Sequence, residues 1–243
     1  MKDSYLRQVE TQLKQVEADA EIFEEAAALI VEAISSGNTL FTFGASHAGI
    51  LSEELFYRAG GLALFNPIFD RNLMLDTRPV TKTSDLESLE GYGRVLAKHV
   101  PFQAGDILLA HSVSGRNPVM IDLVTAAKER GVKIIAITNK TYSMETTSRH
   151  SSGMRLYELA DVTFDNHGRT GDATVYIEPL DQYIAPTSTV IGATIVNMLL
   201  VEVVEGLLEH DIEPPIFYSA NLDGTAEKNK EMLSKNQTRI HYM

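Results

Sequence analysis

Twice in this chain an apolar run breaks into a short polar turn carrying glycine, then resumes with helical spacing. Thr39-Leu40-Phe41-Thr42-Phe43 gives way to Gly44-Ala45-Ser46-His47-Ala48-Gly49. Ile107-Leu108-Leu109-Ala110 gives way to His111-Ser112-Val113-Ser114-Gly115-Arg116-Asn117-Pro118. Beyond the second turn, apolar residues at Val119, Ile121, Leu123, Val124, Ala126 and Ala127 read as a helix over 118–130. Further strands are expected at 62–69, 132–138, 161–164 and 175–177. Further helices are expected from the first turn to about Ala59, then at 85–100, at 187–209 and near 225–235. Residues 139–155 read as polar and irregular. Alternating strands and helices require a mostly parallel sheet with helices on both faces, a three-layer, doubly wound α/β arrangement. Ligands of such sheets sit at the carboxyl ends of strands, near a switch in strand order. Both polar turns lie at such ends.

Ahead of the first strand, Leu6, Val9, Leu13, Val16, Ala20, Phe23, Ala27, Ile30 and Ile34 alternate steps of three and four. This predicts one helix or two, ending at Ser36-Gly37-Asn38. At 1.5 Å per residue the seam runs about 40 Å, more than a small domain needs. It is expected to pack on the chain's own core and also to meet a second copy. The expected division is a helical segment at 1–38, the α/β domain at 39–213, and a tail at 214–243 belonging to the same unit.

Composition narrows the partners. The 243 residues carry a net charge of −12. Nucleic-acid binders and proteins of anionic membranes draw affinity from basic surfaces, so neither partner is expected. A single site of amide donors can still bind an anion. Cysteine is absent, which excludes disulfides and thiolate metal sites. No run of about 18 apolar residues is apparent, so no membrane span is expected. The first residues lack the apolar stretch of a secretion signal, and a cytoplasmic location follows as an expectation.

The second turn gathers serine hydroxyls, backbone N–H groups and the positive end of a helix dipole, a combination suited to phosphate. Ser112, Ser114, Gly115 and Asn117 are the expected phosphate ligands, with Arg116 able to pair with the anion. The first turn lacks the G-x-G-x-x-G spacing of dinucleotide sites, and no P-loop is present, so no nucleotide cofactor is expected. Ser46 there is either a helix cap or a ligand contact. His47 and His111 border the two turns and could carry protons. Residues 148–153 form a polar loop after a strand that could also face a ligand.

Two turns of this character in one sheet resemble the sugar isomerase (SIS) domain family of phosphosugar isomerases and binders. The resemblance rests on Ser112-x-Ser114-Gly115-x-Asn117, on Gly44-x-Ser46 before a helix bearing Glu53-Glu54, and on Pro186-Thr187-Ser188-Thr189 opening the last long helix. It covers 39–209 and is nearest to a bacterial branch built of a single such domain. That branch carries the segments ELFYRAGG, SSGxRLYE and PPxFxSxN, found here at 54–61, 151–158 and 214–221. The resemblance implies a homodimer or larger assembly, with a sugar phosphate bound near the subunit interface. Gly44 and Ser46 would contact it from the first turn, and Thr187 and Ser188 would close the site.

Glu54 falls where related isomerases and etherases place a catalytic carboxylate, which moves a proton between adjacent carbons through an enediol or starts an elimination. On the helix, Ala48, Leu51, Leu55 and Ala59 form the core stripe. Glu53 lies roughly 160° from Leu51 and Leu55, toward solvent or a partner. Glu54 lines up with Ile50 and His47, toward the strand ends. His47 is the expected second catalytic group. The heptose-phosphate branch has a histidine where this chain has Ile50, and Gln and His on the last helix where this chain has Asn197 and His210. No metal and no organic cofactor are therefore expected. The preferred reading is a sugar-phosphate isomerase or related lyase. The alternatives are a non-catalytic sugar-phosphate sensor and a phosphoheptose isomerase-like enzyme. DNA-binding regulators add a helix-turn-helix segment, for which residues 1–38 are too short and too acidic.

Overall fold

A computed structural model describes residues 2–243. Helices α1 (Lys2–Ala18) and α2 (Ala20–Ser35) precede strand β1 (Leu40–Gly44) and helix α3 (Ile50–Leu55). Then come β2 (Phe65–Pro67), α4 (Thr81–Glu87), α5 (Tyr92–Lys98), β3 (Ile107–His111) and α6 (Pro118–Lys128). Strand β4 (Lys133–Thr138), helices α7 (Lys140–Glu145) and α8 (Leu156–Leu159), and strand β5 (Val162–Asp165) follow. The chain closes with β6 (Ala173–Ile177), β7 (Gln182–Pro186), α9 (Ser188–Glu209) and α10 (Ala226–Lys235).

The five strands of the main sheet run parallel in the order β2-β1-β3-β4-β5. The order reverses between β1 and β3, which are neighbours although β2 separates them in sequence. Both polar turns thus leave adjacent strands at the switch point, where such sheets hold ligands. Successive strand residues face opposite layers. Leu40, Ile107, Leu109, Ile135 and Ile137 join α1, α2, α3 and α9 in one core. Phe41, Phe43, Leu108, Ala110, Ile134 and Ala136 join α5, α6 and α8 in the other.

The N-terminal seam is two helices broken at Asp19. Val9, Val16, Phe23, Ala27, Ile30 and Ile34 are buried in the chain's own core, while Leu6 is 56% exposed. The apolar face left open lies instead on α9, at Val190, Ala193, Met198 and Val201.

Several expected boundaries are corrected. Helix α3 stops at Leu55, because Phe56 turns extended and stacks edge-on against Tyr242, while Tyr57 does the same against Phe217. The expected helix over 85–100 is two, α4 and α5, parted where the Asp122 carboxylate accepts from Gly91 N–H and Glu90 accepts from Ser151. Strand β2 shrinks to three residues. There the side-chain amide of Asn66 donates to Arg239 O, and its oxygen accepts from His241 N, tying the tail to the sheet edge. Residues 139–155 contain α7, capped by the Asn139 side chain accepting from Tyr142 N–H. Strand β7, not expected, completes an antiparallel hairpin with β6. No uninterrupted run of about 18 apolar residues occurs, because Thr, Asn and Glu break up the longest apolar stretch. Helix α9 has 22 residues and is apolar enough by length and composition to cross a membrane. Here Ile191, Ile195, Val196, Leu199, Val203 and Leu207 are buried in the core against α2 and α3.

Candidate functional site

The first turn begins with a close backbone approach. A Cβ at Gly44 would lie 2.3 Å from Ala48 O, so only glycine lets the chain double back from β1 into the 3-10 turn Ser46–Gly49. That fold brings Ser46, His47 and Ala48 beside the second turn. The second turn is pinned from below by β4: Ser112 N–H donates to Ile137 O, Asn139 N–H donates to Val113 O, and the Thr138 hydroxyl donates to Ser112 O at 2.7 Å. Gly115 adopts φ +60° and its N–H donates to Ser112 Oγ at 3.2 Å. Among the described residues, none accepts from the backbone N–H of Val113, Ser114, Arg116 or Asn117. Unpaired consecutive amides at the head of α6 form a concave anion site.

A cleft joins the two turns. Ser46, His47, His111, Ser112, Ser114 and Asn117 line it, with Tyr142 of α7 at one side. Two carboxylates enter it that no reading of the sequence singled out. Glu87, at the end of α4, accepts from the Ser46 hydroxyl and from the Asn117 side-chain amide, the latter at 2.8 Å. It therefore bridges the two turns. Asn117 Oδ1 in turn accepts from Arg149 at 3.1 Å. Asp172, ahead of β6 and at φ +68°, caps α9: its carboxylate accepts from Thr187 N–H and Ser188 N–H, and from Ser188 Oγ at 2.5 Å.

These contacts place the remaining expected residues. Thr187 and Ser188 do not line the cleft; Asp172 stands between them and it. Glu54 is not in the cleft either. It pairs with Arg58 and accepts from Asn197 of α9 at 2.9 Å, beside the open apolar face of that helix. Glu53 is exposed and borders a neighbouring groove with Gly44, Ile50 and Phe69. Arg116 is half-buried and does not line the cleft. His47 is exposed. His111 is 2% exposed, its Nδ1 lies 3.0 Å from Ala48 O, and burial holds its pKa below the ordinary value.

The 148–153 loop is anchored away from the cleft. His150 Nε2 lies 3.2 Å from the buried Asp122 carboxylate, and the Ser151 hydroxyl donates to Glu90. Hydrogen bonding from Ser151 holds the exposed Glu90 carboxyl below its usual range. The loop reaches the cleft only through Arg149 and Asn117. His167 Nε2 lies 2.7 Å from Asp19 of the N-terminal segment, and its backbone N–H donates to Asp165.

The SIS domain family profile matches residues 4–139. The chain belongs to the SIS domain family. A UPF0309 protein of Shouchella clausii is 49% identical over 242 residues, covering 99% of this chain and 98% of that protein. A UPF0309 protein of Oceanobacillus iheyensis is 48% identical over 243 residues, covering 100% and 99%. Among solved structures, a phosphoheptose isomerase of Neisseria gonorrhoeae matches with a TM-score of 0.55 at 18% identity, over 84% of this chain and 96% of its own. The NanR protein of Vibrio vulnificus, complexed with ManNAc-6P, matches with a TM-score of 0.53 at 16% identity, over 96% and 68%. At these identities the two structures share the SIS fold with this chain. The shared parallel sheet places the serine turn of this SIS domain at the same topological switch that carries the cleft.

Proposed function

We propose that this SIS domain binds a sugar phosphate in the cleft and isomerises it, or eliminates from it, without an organic cofactor. The observation that carries the reading is the meeting, at the switch point, of a serine turn with four unpaired amides and a carboxylate held across both turns. The amides and the Ser112 and Ser114 hydroxyls would hold the phosphate dianion. Of the two cleft carboxylates, Asp172 is taken up at the head of α9 and Glu87 bridges the two turns. Glu87 would take a proton from the carbon beside the carbonyl while the carbonyl oxygen gains one, giving an enediol, and return it to the former carbonyl carbon while the other enediol oxygen gives its proton up. Ser46 and Asn117 orient it by donating to it. Related folds in a phosphoheptose isomerase and in a protein complexed with ManNAc-6P support a phosphosugar as the ligand class. The net charge of −12 argues against a nucleic acid or an anionic membrane as partner. A cytoplasmic setting agrees with the sugar-phosphate reading.

Glu54 and the open α9 face belong together in this proposal. A second copy seated on Val190, Ala193, Met198 and Val201 would bury that face and bring Glu54 to an interface, giving a homodimer or larger assembly. A sensor that binds without turnover is the second reading. It is favoured by one observation, the engagement of Glu54 with Arg58 and Asn197 outside the cleft. Solvent-deuterium exchange separates the two. The isomerase reading expects exchange at the carbon beside the carbonyl of a bound sugar phosphate, lowered about 100-fold or more in Glu87→Gln. Tight binding with no exchange in the wild type establishes the sensor. Exchange retained in Glu87→Gln and lost in Glu54→Gln moves the base to the interface.

A further inference from the structure

We propose that His111 reads a hydroxyl group of the bound sugar, as a neutral imidazole that accepts a hydrogen bond through Nε2 on the inner wall of the cleft. The inference rests on the sugar-phosphate reading above and orients the ligand within it.

His111 is the last residue of β3, immediately before the serine turn. The residue lines the cleft, yet it is only 2% exposed. Its Nδ1 lies 3.0 Å from the carbonyl oxygen of Ala48. A carbonyl only accepts, so Nδ1 carries the hydrogen. In the neutral ring Nε2 then has a lone pair and no hydrogen. Burial disfavours the imidazolium; the bond to Ala48 O and, after it, the Asp172 carboxylate oppose this more weakly, and the net shift is downward. The other ionisable groups lining the cleft, Glu87, His47 and Tyr142, make no hydrogen bond to it.

Nε2 is buried and, among the described residues, has no hydrogen-bond partner. A buried acceptor left unpaired is unfavourable, and such groups usually find a donor. Among the described residues, the hydroxyls that line the same cleft, those of Ser46, Ser112, Ser114 and Tyr142, make no bond to it, and Asp172 and Glu87 are themselves acceptors. A phosphate dianion is also an acceptor and would not serve. A sugar hydroxyl is a donor. The phosphate therefore sits on the amides of the serine turn, and the hydroxylated carbon chain runs along the cleft wall to His111.

A purely structural role predicts something different: His111 would merely brace β3 to the first turn through Ala48. Two variants separate the roles. In His111→Asn the side-chain amide reaches the Nδ1 position and keeps the Ala48 bond, with no atom at the Nε2 position. In His111→Gln the amide reaches the Nε2 position instead. Calorimetric titration uses inorganic phosphate together with glucose 6-phosphate, fructose 6-phosphate, ribose 5-phosphate and ribulose 5-phosphate. The proposal predicts that, above about pH 7, His111→Asn keeps the wild-type melting midpoint and its affinity for inorganic phosphate. It loses about tenfold or more in affinity for the tightest-binding sugar phosphate, and His111→Gln recovers part of that loss. In the wild type, the same sugar phosphate shifts the imidazole Nε2 resonance in a nitrogen NMR spectrum, and inorganic phosphate does not. An unmoved Nε2 resonance at saturation overturns the proposal, and decides the matter alone if the variants fail to fold. Equal losses for sugar phosphate and inorganic phosphate overturn it too. If the wild type binds none of the five probes, the sugar-phosphate reading fails, and the His111 role with it.

Discussion

The chemistry of this site turns on which oxygens and nitrogens remain unpaired once the chain has folded. Ser112 Oγ accepts from Gly115 N–H, Ser46 and Asn117 donate to Glu87, and Ser188 donates to Asp172. The loop amides and His111 Nε2 are left for a ligand. His111 carries a prediction of its own. Its pKa in the folded chain lies below the ordinary 6.5, so the unfolded chain binds more protons in that range. The stability this group contributes is complete above about pH 6.5 and is lost as pH falls toward the depressed folded value. Thermal melts from about pH 7 downward should therefore show a steeper acid decline for the wild type than for His111→Asn, which has no group to titrate there. Parallel declines would show that burial does not hold the ring neutral. At this scale the serine turn was legible because all its residues are adjacent in sequence. Glu87 and Asp172 were not. Glu87 reaches Ser46 across 41 residues, and Asp172 reaches Ser188 across 16, through a hairpin that periodicity did not reveal.

Elements were legible where burial sets the pattern and illegible where side chains from elsewhere end a helix. Strands β1, β3 and β4 are buried on both faces and read as continuous apolar runs. The split between α4 and α5 depends on Asp122 and Ser151, and the short α3 on aromatic rings of the tail; no local signal announces either. The same reasoning limits the helical arithmetic that placed Glu54. Its angle on the helix is right, but the helix face it occupies meets α9 and not the second turn. The first turn yields the element-scale prediction. Gly44→Ala forces a Cβ into the Ala48 carbonyl, so β1 and the Ser46 turn cannot keep their present path. We expect a loss of more than about 1 kcal/mol in chemical denaturation, and a loss of sugar-phosphate binding in whatever fraction remains folded. Unchanged stability would mean that the approach relaxes without strain.

At the scale of the whole molecule, one open apolar surface and one polar cleft divide the work. Val201 is 56% exposed and Val190 39% on α9, a helix whose other face is buried in the core. Val201→Glu costs the single chain little, since the side chain already meets water, but it sets a charge in an assembly interface. Light scattering should give at least twice the chain mass of 26.8 kDa for the wild type and the single-chain mass for Val201→Glu. A wild type that is monomeric while binding sugar phosphate would remove the second copy from the account. The N-terminal seam packs most of its apolar positions on the chain's own core and leaves Leu6 exposed. The account stands or falls on the cleft. Its most direct test is calorimetric titration of the wild type and Ser114→Ala with sugar phosphates and their unphosphorylated sugars. The account predicts saturable binding of a sugar phosphate, weak or no binding of its parent sugar, and a loss of about 10- to 100-fold for the phosphorylated ligand alone in Ser114→Ala, as expected for a hydroxyl donating to a charged acceptor. Equal affinity for sugar and sugar phosphate, or a Ser114→Ala variant that weakens both alike, would contradict it.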